Sequence, residues 1–139
     1  MAGLVSSVSW FDNQPHIRVY TSNGSKVTEQ AYDGHWYAGA FSQNGSTVGA
    51  TSWLQGSQPH IRVYVGLNGK LTEYCWDKDK WYVGAFSAVG EGASATSWLE
   101  GNQIHIRVYA RTSDGKVVEH CWDSDKWYIG GYSGKAVAA

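Results

Sequence analysis

Three copies of one unit fill most of the chain, and this repetition limits the possible folds more than any other feature. Each copy contains Ser-Trp, a His-Ile-Arg-Val-Tyr segment, a Thr-Glu or Val-Glu step and a Trp-Tyr segment. The equivalent arginines recur at intervals of 44 residues (Arg18 to Arg62) and 45 residues (Arg62 to Arg107), which is typical of a four-stranded β-propeller blade. We therefore interpret residues 1–139 as one domain of three blade repeats, at about 8–41, 50–86 and 95–132.

Alternation of β-branched or aromatic residues with polar ones predicts four short antiparallel strands per unit, and no segment has helical periodicity. Turn dipeptides follow the second predicted strand, and because Asn or Asp before Gly tolerates positive φ they predict two-residue type I′ hairpins. These dipeptides are Asn23-Gly24, Asn68-Gly69 and Asp114-Gly115. The next turn is predicted at Asp33-Gly34 and at residues 77–80 and 123–126. The sequence thus predicts an all-β fold with three propeller blades per chain.

Three blades cannot close a ring, because known propellers use about four to eight. Two chains supply six blades, whereas three chains would supply nine. We therefore predict a homodimer that closes as a six-bladed β-propeller, in which the last blade of one chain meets the first blade of the other. Such closure would leave no unpaired blade edge.

The bulk composition excludes several kinds of partner. The formal net charge is −1 and the pI is about 6.5, so no broad basic face is available for nucleic acid. No apolar run approaches the roughly 18 residues that a membrane-spanning helix needs. Residues 1–9 lack the basic start and apolar stretch of a signal peptide. We expect a soluble chain without an export signal and without membrane insertion.

The cysteines and repeated histidines do not form a pattern typical of metal or redox sites. Cys75 and Cys121 occupy the same place in successive repeats, which puts them in different blades and predicts small packing residues rather than a disulfide. One histidine per repeat, at His16, His60 and His105, is too few for a metal cluster. We therefore predict neither a metal nor a cofactor.

Strand alternation sorts the repeated residues onto two faces of each blade. In the second copy Arg62 shares a face with Glu73 on the neighbouring strand, whereas Ile61 shares the opposite face with Trp76. A gap between stacked blades therefore has a charged wall and an aliphatic and aromatic wall. Guanidinium donors and carboxylate acceptors can hold adjacent hydroxyls, an indole can cover the apolar face of a sugar ring, and Ile can shelter a methyl group.

The same residues also permit a purely structural interpretation. An Arg–Glu ion pair between blades, with Trp filling the core, would use the same positions. Trp10, Trp53 and Trp98, in the Ser-Trp strands, are interpreted as core residues. Both interpretations remain open at this point.

The complete unit, Ser-Trp, Ile-Arg-Val-Tyr, Thr-Glu-x-Cys-Trp-Asp and Trp-Tyr-x-Gly-Ala-Phe, resembles the fucose-binding β-propeller lectins of fungi and bacteria, the Aleuria aurantia lectin family with its Ralstonia-type members. The resemblance covers nearly the whole chain and all three copies. It implies a six-bladed ring that binds L-fucose between blades, with Arg and Glu from one blade and Ile and two aromatic residues from the next. Fucosylated glycans, including those on glycolipid-bearing membranes, are the implied partners, with action on glycosylated surfaces outside the cell.

The family pattern assigns three pockets by position. The first comprises Arg18, Glu29, Ala40, Ile61, Trp76 and Trp81. The second comprises Arg62, Glu73, Ala85, Ile106, Trp122 and Trp127. The third is shared between chains, with Arg107, Glu119 and Gly131 from one and Ile17, Tyr32 and Trp36 from the other. Tyr32 replaces the family's Trp there, and its smaller ring changes the methyl pocket.

Two other functions compete with a multivalent lectin that gains avidity from six pockets. Ser113-Asp114-Gly115 weakly matches a turn of sialidase-like glycosidases, but glycoside hydrolysis usually needs two carboxylates at the bond, and each predicted pocket holds one Glu beside an Arg. Trp76-Asp77 and Trp122-Asp123 resemble the dipeptide of WD-repeat interaction propellers, but the Gly-His partner is missing. The sequence therefore predicts a binding protein and not an enzyme.

Overall fold

The computed structural model describes residues 4–135, and every regular element within them is a β-strand. The strands form three antiparallel sheets of four strands each. Over the same residues no helix could cross a membrane. The prediction of an all-β chain with three four-stranded blades is confirmed.

Each blade consists of four strands that are consecutive in the chain and in space. Blade I contains β1 (Val5–Phe11), β2 (Pro15–Ser22), β3 (Lys26–Tyr32) and β4 (Trp36–Asn44). Blade II contains β5 (Thr47–Gln55), β6 (Gln58–Leu67), β7 (Lys70–Trp76) and β8 (Trp81–Val89). Blade III contains β9 (Gly92–Glu100), β10 (Gln103–Arg111), β11 (Lys116–Trp122) and β12 (Trp127–Lys135).

Each sheet begins three residues before its predicted repeat and ends three residues after it. The added residues at the start are Val-Ser-Ser, Thr-Val-Gly and Gly-Ala-Ser in the three blades. These segments differ between blades, so sequence repetition does not reveal them. Strand pairing continues through them because it uses backbone groups that every non-proline residue carries.

The first strands of the blades, β1, β5 and β9, pack side by side. Hydroxyl groups link them: Ser52 Oγ donates to the Ser9 carbonyl at 3.2 Å, and Ser97 Oγ donates to the Ser52 carbonyl at 3.2 Å. At Gly49 a β-carbon would lie 2.1 Å from the Ala93 carbonyl oxygen. Small residues on these strands therefore let the blades approach closely along their inner edge.

The two faces of each blade are named here for its Ile-Arg pair. The arginine face carries Arg18, Arg62 or Arg107, and the isoleucine face carries Ile17, Ile61 or Ile106. The first gap lies between the arginine face of blade I and the isoleucine face of blade II, and the second gap repeats this between blades II and III. Buried apolar residues fill both gaps. They include Tyr20, Phe41, Val63 and Val65 in the first gap and Tyr64, Phe86, Val108 and Ala110 in the second.

The isoleucine face of blade I and the arginine face of blade III face no other blade within residues 4–135, and we call them the two open faces. Equivalent residues are buried in the gaps but exposed on these faces. Phe41 and Phe86 are 2% and 3% exposed, whereas Tyr132, at the same position in blade III, is 51% exposed. The two open faces therefore expose apolar residues of the kind that are buried between neighbouring blades in the two gaps.

The type I′ prediction is right at one turn and wrong at two. Asn68-Gly69 joins β6 to β7 directly with φ values of 53° and 79°. The loop at Asn23-Gly24 has three residues, because the Asn23 side chain accepts from two backbone N–H groups at 2.9 Å and holds a wider turn. The loop at Asp114-Gly115 has four residues, 112–115, and there only Gly115 has positive φ. A side-chain acceptor can thus replace the tight backbone turn that the dipeptide favours.

Candidate functional site

A cleft of about 200 Å³ opens in the first gap. Its lining contains all six residues assigned to the first predicted pocket: Arg18, Glu29, Ala40, Ile61, Trp76 and Trp81. Sequence reasoning did not place the other four there: Trp10, Ala31, Tyr37 and Gly39. The arginine face supplies the charged wall and the isoleucine face of blade II supplies the apolar wall.

The glutamate of the cleft is held by neutral donors. Glu29 is 5% exposed and accepts from the Tyr20 hydroxyl at 2.7 Å and from the Phe41 N–H at 3.3 Å. A register shift between β3 and β4 at this point brings that N–H to the carboxylate. At Gly39 a β-carbon would lie 2.0 Å from Glu29 Oε1, so only glycine fits there.

The same carboxylate arrangement recurs in the other blades. Glu73 accepts from Tyr64 at 2.7 Å and Glu119 accepts from Tyr109 at 2.7 Å. The hydrogen bond from Tyr109 is the main reason why the pKa of Glu119 lies below its ordinary value. Each blade therefore presents an acceptor whose position is set within that blade.

The arginine of each pocket pairs with an aspartate and not with the glutamate. Arg18 Nη1 and Nη2 donate to the two carboxylate oxygens of Asp33 at 3.0 and 3.2 Å. Arg62 contacts Asp77 in the same way, at 2.7 and 3.4 Å. The expected pairing of Arg with Glu, within a pocket or between blades, is therefore wrong, because the tyrosine and the bulge amide already hold the Glu carboxylate.

The three aspartates are functional candidates that sequence reasoning treated only as turn residues or as part of a WD dipeptide. Asp33, Asp77 and Asp123 stand at the same repeat position, directly after β3, β7 and β11. That recurrence beside a repeated arginine was an available signal. Each carboxylate also accepts from a histidine Nδ1 and from a tyrosine hydroxyl of its own blade, with Tyr37, Tyr82 and Tyr128 in the three copies.

Hydrogen bonding keeps these carboxylates ionised. Burial alone would raise the pKa of Asp33, but hydrogen bonds from Arg18, Tyr37 and His16 outweigh it and lower the pKa. In Asp123 the hydrogen bond from His105 is the main cause of a lowered pKa. The same kind of bond, to Asp33, is the main cause of a raised pKa at His16.

The tryptophan of each Ser-Trp strand contacts the guanidinium of the arginine in its own blade. In blade II the His60 ring stacks on Trp53 at 5.1 Å, and Arg62 Cζ lies 4.9 Å from the centroid of that indole. Trp53 is buried in the second gap, but Trp10 lines the cleft and Trp98 is 44% exposed. The interpretation as core residues is therefore right for Trp53 and for Trp10, which packs against the buried cluster of the first gap, but not for Trp98 within a single chain.

The second gap repeats the arrangement of the first. Phe86 lies 4.7 Å from Trp127 with an interplanar angle of 64°, and Phe41 lies 4.7 Å from Trp81 with an angle of 65°. The predicted residues of the second pocket lie on the two walls of this gap: Arg62, Glu73 and Ala85 on blade II, and Ile106, Trp122 and Trp127 on blade III. Cys75 stands where Ala31 lines the first cleft, and burial raises the pKa of its thiol to about 12. Both cysteines are buried and free.

The residues predicted for the third pocket lie on the two open faces. Arg107, Glu119 and Gly131 belong to blade III, whereas Ile17, Tyr32 and Trp36 belong to blade I, so a single chain does not bring them together. The ring centroids of Tyr32 and Trp36 are 5.3 Å apart with an interplanar angle of 54°. The Trp122–Trp127 pair in blade III has a similar geometry, with 5.7 Å and 46°. The tyrosine therefore keeps the tilted aromatic pair with a smaller ring.

Comparison with known proteins identifies the family. The family model described as fungal fucose-specific lectin matches residues 4–90. The chain belongs to this family of fucose-specific lectins. A fucose lectin from Kordia zhangzhouensis, solved with methyl-fucoside, is 48% identical, with 92% of this chain and 99% of that chain covered and a TM-score of 0.83. The six-bladed Aleuria aurantia lectin is 31% identical, with 99% of this chain and 46% of that chain covered and a TM-score of 0.71.

This lectin chain is thus similar in length to the Kordia lectin but spans about half of the Aleuria lectin. No curated protein matches it. The resemblance to fucose-binding propeller lectins is confirmed by these matches. Within residues 4–135 of this lectin, no group of three or more His, Cys, Asp or Glu side chains is suited to hold a metal ion.

Substituting one glycine tests how the lectin positions its glutamate. In Gly84→Ala the new β-carbon would lie 2.0 Å from Glu73 Oε1 and 2.7 Å from Cys75 Sγ, so the carboxylate must move. We expect fucoside affinity at the second pocket to fall at least about tenfold, the cost of roughly one hydrogen bond to a charged group, as measured by calorimetry. Gly92→Ala is the matched control, because it lies outside the three predicted pockets and its β-carbon would lie 3.5 Å or more from every neighbouring atom. Equal binding by both variants would contradict the expectation.

The carboxylate and histidine shifts predict opposite pH effects on stability. Because the pKa values of Asp33 and Asp123 are lowered in the folded protein, their ionised carboxylates add to the free energy of unfolding. This contribution is complete above about pH 3.9, the pKa in the unfolded chain, and is lost as the pH falls through the pKa values of the folded protein. The raised pKa of His16 makes its contribution full below about pH 6.5 and lost as the pH rises through its folded value. We expect the melting temperature to decrease as the pH is lowered from about 4. His16→Gln should flatten the decline on the alkaline side, and an unaltered profile there would contradict this assignment.

Proposed function

We propose that the chain binds L-fucose at the ends of fucosylated glycans, with one pocket in each gap between blades. The observation that carries this proposal is the cleft of the first gap, where Arg18 and Glu29 face Ile61, Trp76 and Trp81. Its volume, about 200 Å³, lies below the roughly 300–1,000 Å³ of pockets for drug-sized ligands. A single sugar ring suits such a cleft better than a longer oligosaccharide does.

The chemistry of the two walls matches a deoxy sugar. Arginine N–H groups donate to ring hydroxyls, and the glutamate accepts from them through charge-assisted hydrogen bonds. The two tryptophans offer flat apolar surface to the C–H groups of the ring. Ile61, which is 2% exposed, closes the apolar end where a methyl group would lie.

We further propose that two chains close a six-bladed ring and so complete the third pocket. The two open faces expose residues whose equivalents are buried in both gaps, and closure would cover them. The Kordia lectin chain has a similar length, and the Aleuria chain, described as six-bladed, is about twice as long. A homodimer would then carry six pockets, and their joint use on a glycosylated surface outside the cell or on glycolipids would raise avidity.

Binding without hydrolysis fits the cleft better than a glycosidase does. Of the described residues lining it, Glu29 alone carries a carboxyl group, whereas glycosidases typically place two carboxylates about the bond. Asp33, another carboxylate of the same blade, is paired with Arg18. No observation favours a WD-repeat interaction role.

Calorimetric titration with methyl α-L-fucoside tests the proposal. We expect three sites per chain, with weaker binding of methyl α-L-galactoside, which differs by a hydroxyl group where fucose has its methyl hydrogen. Absence of heat with the fucoside at millimolar concentration would overturn the proposed function. Release of free fucose from a fucosylated oligosaccharide would overturn the non-enzymatic part alone.

A further inference from the structure

We propose that Asp33, Asp77 and Asp123 are the positioning residues of the three pockets. Each carboxylate fixes the guanidinium of its pocket arginine so that two N–H donors on one edge face the gap. The inference rests on the proposed function and adds residues outside the predicted site. Blade II shows the contacts that carry it.

Donor counting identifies the edge of Arg62 that is free for a ligand. A guanidinium has five N–H groups. Nη1 uses both of its hydrogens, on Asp77 Oδ1 at 2.7 Å and on the Ile61 carbonyl at 3.0 Å, and Nη2 uses one on Asp77 Oδ2 at 3.4 Å. Over residues 4–135 no acceptor takes the Nε hydrogen or the second Nη2 hydrogen. These two donors lie side by side, which suits two adjacent sugar oxygens.

The carboxylate of Asp77 has no capacity left for a ligand. It accepts from Arg62 twice, from His60 Nδ1 at 2.6 Å and from the Tyr82 hydroxyl. These four donors use about all of the lone-pair sites of a carboxylate. Since His60 lies on β6 and Tyr82 on β8, the aspartate is tied to two strands and cannot follow a moving arginine. Its effect on a bound sugar therefore passes through Arg62.

The indole beneath the guanidinium adds a further restraint. Arg62 Cζ lies 4.9 Å from the Trp53 centroid, within the range of a cation–π contact. His60 stacks on the same indole with an interplanar angle of 12°. Arginine, histidine and aspartate are thus fixed relative to one tryptophan.

The arrangement forms without a neighbouring blade. Blade III has an open arginine face, yet Arg107 Nη1 still donates to Asp123 at 3.0 Å and to the Ile106 carbonyl at 3.0 Å. Its Cζ lies 5.0 Å from the Trp98 centroid. No hydrogen bond joins Arg107 Nη2 to Asp123, but the two Nη1 contacts and the indole already orient the guanidinium within the blade. This reduces the ordering that binding must bring about.

The test isolates the second pocket in the full-length protein. In a background of Arg18→Ala and Arg107→Ala, Asp77→Asn keeps the shape of the side chain but removes its charge and one acceptor. We expect affinity for methyl α-L-fucoside to fall at least about tenfold, or roughly 1.4 kcal/mol, in a variant that melts below the background, because it loses an ionised carboxylate, but that is folded at the temperature of the titration. Asp79→Asn, an exposed residue of the same loop, is the matched control and should bind as the background does.

Nuclear magnetic resonance of the arginine side chain separates positioning from a general effect on folding. The background protein should give resolved Nη–H signals for Arg62, because rotation about the Cζ–Nη bonds is restrained, and Asp77→Asn should give one averaged signal. If Asp77→Asn melts early, His60→Gln, which keeps the carboxylate and removes one of its donors, should show both changes in milder form. Unchanged affinity in the folded variant overturns the inference and leaves the proposed function standing. A background protein that does not bind the fucoside overturns the proposed function instead.

Discussion

Replacing Arg62 with alanine should abolish fucoside binding at the second pocket and leave the first pocket intact. The arginine offers two donors that no acceptor in residues 4–135 uses, and each charge-assisted hydrogen bond is worth about 1.5–3 kcal/mol. Loss of both corresponds to roughly a hundredfold or more in affinity. The first pocket takes its arginine from blade I and its apolar wall from Ile61, whose backbone and side chain the substitution leaves in place.

Calorimetry would report this loss as a fall from three sites per chain to two. Arg62→Lys separates charge from shape, because a lysine keeps the positive charge but has no planar pair of donors, and we expect it to lose most of the binding as well. Lys78→Ala removes an exposed cation of the neighbouring loop and should have no effect. A stoichiometry of three in Arg62→Ala would remove Arg62 from the site.

Val19→Asp should prevent formation of the proposed dimer. Val19 lies on the open isoleucine face, and its equivalents Val63 and Val108 are fully buried in the two gaps. Ring closure by two chains creates two identical contacts, so the substitution would bury two carboxylates that have no partner. Each buried charge costs several kcal/mol. A loss of this size in the free energy of association would leave the two chains separate at micromolar concentration.

Native mass spectrometry and a fucoside titration measure the two consequences together. The variant should be monomeric and should bind two fucosides per chain with unchanged affinity, because the first and second gaps lie within one chain. Agglutination of fucosylated particles should fall sharply, since half-rings present fewer pockets to a surface. Val89→Asp is the control, because that valine is 73% exposed. A Val19→Asp dimer with three sites per chain would refute ring closure through this face.

Much of this architecture follows from repetition and from strand alternation alone. The period of the repeat indicates the blade, and the two-residue alternation of side chains separates Arg18 from Ile17 with no knowledge of the tertiary structure. Adjacent strands then carry Glu29 beside the arginine. For that reason the six residues assigned to the first pocket lie in one cleft, although their role in sugar binding remains a proposal.

Hydrogen-bond partners were less accessible to such reasoning. Arg62 and Glu73 share a face, but a face does not specify which of two carboxylates an arginine contacts. The outcome depends on the register shift in β8, which brings the Phe86 N–H to Glu73, and on the path of the loop after β7, which brings Asp77 to Arg62. Similarly, the Asn23 loop widens because its side chain caps the turn.

The threefold repeat of the sequence therefore determines the blade, its strands and the sorting of residues onto two faces, because these depend on local periodicity. Tertiary structure decides that an aspartate and not the glutamate pairs with each arginine, because competition between hydrogen-bond partners is settled only when strands, bulges and loops meet in space. It also decides that two surfaces of each chain are left open. Three equal repeats in sequence thus become two complete gaps and two halves of a third.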